Sequence, residues 1–94
     1  MTNPLGQQLG LYFSTGVSSY PKENPQAVLD AFGPAPLRRV ESLSEEISAL
    51  EPDWAAHDLA SATEWAVDEM RRRHPDLDDQ GAGVLGWAFS FWNK

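Results

Sequence analysis

The chain has 94 residues, 41% of them hydrophobic, and 14 Asp and Glu against 7 Lys and Arg give a formal net charge of −7. A chain of this length forms one domain, residues 1–94, able to bury roughly two-thirds of the surface exposed in its unfolded state; it is too apolar to be disordered and too interrupted by charge for a membrane protein. Cysteine is absent, which excludes disulfides, thiolate metal sites and cysteine nucleophiles.

No stretch approaches the ~20 consecutive apolar residues that span a bilayer, and the N-terminal segment lacks the basic and apolar regions of a signal peptide. The expected setting is therefore the cytoplasm, without membrane association. Charge is unevenly placed. Residues 1–40 hold Lys22, Arg38 and Arg39 against Glu23 and Asp30, whereas residues 41–58 hold Glu41, Glu45, Glu46, Glu51, Asp53 and Asp58 with no Lys or Arg. Such a surface disfavours phosphate backbones and anionic lipid, so nucleic-acid binding is not expected, and it favours encounter with a basic partner.

Pro and Gly clusters divide the chain into five segments of helical length. In the first, Asn3 can cap, Pro4 suits the first helical position, and Leu5, Leu9 and Phe13 recur every four residues; a strand over 9–13 is the rival. In the second, Asn24 and Pro25 repeat the start signal before QAVLDAF. Val28, Leu29 and Phe32 should face the core, and Gly33 should close the helix in a left-handed conformation.

The third segment carries Val40, Leu43, Ile47 and Leu50 as one apolar stripe ending before Pro52. Arg38 and Arg39 oppose the dipole of a helix beginning near residue 36, so a later start, with Ser42 and Glu45 as a capping box, competes. The fourth runs from Asp53 or Asp58 to Arg73, with Leu59, Ala62, Ala66 and Met70 on one face. Asp68 with Arg72 and Glu69 with Arg73 are acid-first pairs four residues apart, and Arg71, Arg72 and Arg73 complement the C-terminal dipole.

The closing segment, GVLGWAFSFWNK, reads as a strand or as a helix. At about 100° per residue, Gly83, Gly86, Ser90, Asn93 and Lys94 gather in one narrow sector and the large apolar side chains fall outside it. With no partner strand elsewhere, the expectation is a helix at the centre of the core, its small-residue strip packed against a neighbour. The fold class is thus all-α, a compact single-domain bundle of about five short helices.

Three constellations invite a chemical reading. Asp53, His57 and Ser61 follow at i+4 spacings, but three side chains on one straight helix do not converge as a triad must. Asp76 to Gly81 resembles the start of a calcium loop, yet its twelfth position is Trp87, where a bidentate Glu is required. Gly81, Gly83 and Gly86 match G-x-G-x-x-G in letters alone, beside an acidic turn and without a βαβ unit. No catalytic residue, metal or cofactor is expected.

Recognition remains. Trp65 falls beside Asp58, Glu69 and Arg72, off the apolar stripe of the fourth helix, and Trp54 joins that side if the helix starts at Asp53. A Trp ringed by acids suits a partner presenting apolar groups among Lys and Arg. The sequence therefore points to a small acidic, non-catalytic protein-binding module of the inhibitor, immunity or adaptor kind. Its expected contact residues are Glu41, Glu45, Glu46, Trp54, Asp58, Trp65 and Glu69, with the aromatic tail serving the core. The competing readings are a DNA mimic that inhibits a nucleic-acid-binding protein, a binder of small apolar ligands lined by Trp54, Trp65, Trp87 or Trp92, and a structural subunit of a larger assembly.

Overall fold

The computed structural model describes residues 4–93, and five helices account for its regular structure: α1 (Leu5–Tyr12), α2 (Pro25–Phe32), α3 (Pro34–Ser48), α4 (Leu59–Arg73) and α5 (Asp79–Trp92). Both helix-or-strand ambiguities, at 9–13 and at 84–92, resolve as helix. The Asn3 cap and the place of Lys94 on the final helix lie outside the described residues.

α5 organises the rest. It packs against α1, α3 and α4, and Ala82, Val84, Leu85, Ala88 and Phe89 are buried along it. Around it gather Leu5, Leu9 and Phe13 from the first segment, Val28 from α2, Val40, Leu43 and Ile47 from α3, and Ala62, Ala66 and Met70 from α4. The four-residue spacing of α1 and the stripes of α3 and α4 are thus the core-facing lines that their periodicities predict.

Close approach to α5 depends on glycine, but on only part of the strip expected. A methyl group at Gly81 would lie 2.8 Å from Leu77 Cδ1 and 3.1 Å from Leu9 Cδ1, and one at Gly6 would lie 2.7 Å from Gln80 Cβ, so the start of α5 sits tightly against α1. Gly86 does face α4, 3.1 Å from Val67 Cγ2 by the same construction, whereas Gly83 opens to solvent. The nucleotide-like spacing of Gly81, Gly83 and Gly86 thus has a packing cause at two of its three positions.

Three local expectations change. Leu29 is exposed, because the two turns of α2 bury only Val28 against the core, with Phe32 half-buried. Gly33 adopts the predicted positive φ, 94°, but with an extended ψ of −179°, so it turns the chain directly from α2 into α3. α3 begins at Pro34 rather than at Ser42. Pro34 and Pro36 occupy the first turn, where no intrahelical N–H is required, and Arg39 escapes the dipole by pairing with Asp76 at 2.9 Å.

Between α3 and α4, Asp53 caps a separate turn: its Oδ1 accepts from Ala55 N at 3.0 Å and its carbonyl from His57 N at 3.0 Å. The chain then extends at Asp58, whose Oδ1 accepts from Ser61 N at 2.8 Å and starts α4. Of the two starts the sequence allowed, Asp58 is the one adopted. Asp78 caps α5 through Gly81 N at 2.8 Å.

Candidate functional site

The seven residues expected to contact a partner separate into two groups. Glu46 and Glu69 are committed within the molecule. Glu46 Oε2 lies 2.5 Å from His74 Nε2, and its other oxygen is 3.9 Å from Arg73. Glu69 accepts from Arg72 and, at 3.0 Å, from Arg73, and these bonds hold its carboxyl below the usual carboxylate range. The expected Asp68–Arg72 pair is replaced by this Glu69–Arg72 contact, three residues apart. Asp58 is spent as the α4 cap, its carboxyl lowered chiefly by hydrogen bonds from Ser61.

The two Trp candidates lie apart. Trp65 is half-buried against the core, with the His57 ring 6.4 Å away. Trp54 is 48% exposed, but it lies in the turn before α4, so the shared helical side on which the two were placed does not exist.

Glu41 and Glu45 remain, one turn apart on α3, and the structure gives them company that the sequence did not reveal. They line a cleft of about 420 Å³ together with Ser44 and Ser48 from the same helix, Tyr12 from α1, Glu23 from the α1–α2 loop and Trp92 from the last turn of α5. The loop builds one wall. Ser14 takes a positive φ of 59° and donates its hydroxyl to Lys22 O at 2.8 Å, while Lys22 N and Asn24 N bond back to Phe13 O and Tyr12 O. This return brings Glu23 to the Tyr12 hydroxyl, which donates to its Oε2 at 3.4 Å.

The aromatic wall is likewise fixed by packing. Tyr12 meets Phe13 edge-on at 5.0 Å, and Phe13 meets Trp92 at 5.7 Å. Trp92 is nevertheless 39% exposed, and Phe91 beside it stacks on exposed Tyr20 at 6.2 Å. The C-terminal helix thus lies in the core as expected, and its last turn runs past α1 and leaves Trp92, partly exposed, beside Glu41 and Glu45 of α3.

Electrostatically the cleft is one-signed. Burial, then the charges of Glu23 and Glu41, push the Tyr12 phenol up to about 12 from an ordinary value of 10.0. Neither Lys nor Arg lines the cleft, and among the described residues none pairs with Glu23, Glu41 or Glu45.

The chemical constellations come apart. His57 Nδ1 is 3.1 Å from Ser61 Oγ, but Asp53 is turned to Ala55 and no carboxylate hydrogen-bonds to His57 among the described residues. Asp76, Asp78 and Asp79 diverge to Arg39, to the α5 cap and to Arg71. No group of three or more His, Asp or Glu able to hold a metal occurs among the described residues, and no helix there is long and apolar enough to cross a membrane.

Comparison with protein-family models, with curated proteins and with solved structures finds no match for this chain.

Proposed function

We propose that the chain is a small, acidic, non-catalytic protein-binding module of the inhibitor, immunity or adaptor kind, acting in the cytoplasm on a basic surface of a partner protein. The observation that carries this reading is the cleft that Glu23, Glu41 and Glu45 line together beside Tyr12 and Trp92, with no neutralising cation among the described residues. Like charges brought together around a buried phenol oppose one another, and a partner's cation relieves that repulsion on binding. Trp92 supplies apolar area in the cleft, a residue type that anchors interfaces. The net charge of −7 steers a basic partner toward the acidic face.

The contact set is accordingly Glu23, Glu41, Glu45 and Trp92, with Glu46, Asp58, Trp65 and Glu69 assigned to the fold. The test is capture of the partner on the intact protein from its native source, followed by binding measurements with the purified pair. Affinity should fall steeply with salt and with the double reversal Glu41→Lys/Glu45→Lys. A partner that binds equally well through both changes overturns the reading.

A further inference from the structure

We infer that the cleft between α3 and the end of α5 is a receptor for a single arginine side chain, an inference that rests on the protein-binding reading above and names the group it receives. The acceptors come from two directions. Glu41 and Glu45 present carboxylates from successive turns of α3, and Glu23 presents one from the opposite, loop-built wall.

The second observation is Ser44. It lies between those glutamates in sequence, lines the cleft and is only 7% exposed, yet its hydroxyl makes no hydrogen bond among the described residues. Ser48, Ser61 and Ser90 each donate to a backbone carbonyl, of Glu45, Asp58 and Trp87 respectively, and Ser42, which also makes no hydrogen bond among the described residues, is exposed to water. No fully enclosed side-chain oxygen or nitrogen in the described residues lacks a partner, so the Ser44 hydroxyl is reached from the cleft itself. A nearly buried, unbonded hydroxyl is costly to leave unpaired, and its oxygen can accept an N–H from a cation seated among the carboxylates.

The choice of arginine follows from the shape of the acceptor set. A guanidinium carries five N–H donors in a fixed plane, stacks on aromatic rings and is more weakly hydrated than an ammonium. Three carboxylates, a free hydroxyl and a Trp ring around one cleft match that plane, whereas a lysine ammonium would meet only part of the set and lose more hydration. The volume of about 420 Å³ is ample for one arginine side chain with its hydration.

The experiment titrates the intact protein with two capped tripeptides, acetyl-Gly-Arg-Gly-amide and acetyl-Gly-Lys-Gly-amide, reading amide and indole NMR shifts. Saturable shifts are expected at Tyr12, Ser44 and Trp92, with the arginine peptide binding about fivefold more tightly than the lysine peptide. Glu41→Gln should weaken it about tenfold and Ser44→Ala about threefold, with unchanged thermal melts. Absence of saturable shifts, equal affinity for the two peptides, or indifference to both substitutions overturns the inference. If the arginine peptide fails while a captured partner still responds to salt and to reversal of Glu41 and Glu45, the receptor role falls and the protein-binding reading stands. If the partner ignores that reversal, the reading falls with the role built on it.

Discussion

The two sides of α3 carry the same residue type to opposite ends. Glu46 reaches across to α4, where His74 and Arg73 receive it, and so joins two helices. Glu45, its neighbour in sequence, points about 100° away around the helix, into the cleft shared by Glu41, Glu23 and Tyr12, where no cation among the described residues pairs with it. A carboxylate with an internal cation contributes to the fold, and a group of carboxylates without one is held there at some cost in repulsion. The acidic middle of the chain thus presents two sides that differ in their internal partners, and on the proposed reading the second is the one a partner meets.

The largest effect should come from removing what holds the two surfaces in place. Phe89 is fully buried in α5, one turn before Trp92, which walls the cleft. Phe89→Ala should cost about 3–5 kcal/mol in denaturant unfolding, a large part of the roughly 5–15 kcal/mol expected of a whole domain. Truncation after Gly86, which also removes Ala88, should abolish cooperative unfolding by calorimetry. A truncated chain that still melts cooperatively would show that α5 is not the common support of both surfaces.

The next effect tests the division itself. Glu41→Lys/Glu45→Lys should lower partner affinity at least about tenfold and flatten its salt dependence, with stability unchanged or slightly raised because like charges are separated. Glu46→Gln should do the converse. Both of its pairs are partly exposed, so the loss is about 0.5–1 kcal/mol by thermal or chemical unfolding, with affinity altered by no more than about twofold. If Glu46→Gln weakened the complex as much as the double reversal, the two sides of α3 would not be functionally distinct.

Much of the fold could be read from the chain because it depends on local spacing. Val40, Leu43 and Ile47, and Ala62, Ala66 and Met70, define their buried faces whatever lies opposite, and Asn24, Asp58 and Asp78 announce helix starts through their own side chains. The site was only half legible. Glu41 and Glu45 follow from charge and helical spacing, but Glu23 joins them through the return of the loop along α1, and Trp92 through the crossing of α5 past α1. Neither event leaves a periodic trace. The internal pairs of Glu46 and Glu69 were hidden for the same reason: Arg73 completes a local pair with Glu69 and also reaches α3, a contact set by tertiary packing. Trp92 did carry one signal, its place in the final helical turn, where rings are only partly covered.

The smallest effect is the most direct report on the unneutralised side. Tyr12 ionises at about 12 in the folded protein against 10.0 ordinarily, held up by burial and by Glu23 and Glu41. Above pH 10 the unfolded chain releases this proton while the folded chain keeps it, so the unfolded state gains and stability falls as the pH rises from 10 to 12. Tyr12→Phe should remove that alkaline slope, and Glu41→Gln should reduce it, whereas Glu46→Gln should leave it unchanged. With Tyr20 replaced by Phe, tyrosinate absorbance follows Tyr12 alone, and saturating arginine peptide should move its ionisation down toward 10 because a guanidinium beside the phenol favours the phenolate. The guanidinium keeps its own charge across this range, which the lysine ammonium does not, so the lysine peptide should leave the curve in place. A Tyr12 curve insensitive to the arginine peptide would place the bound cation elsewhere than among Glu23, Glu41 and Glu45.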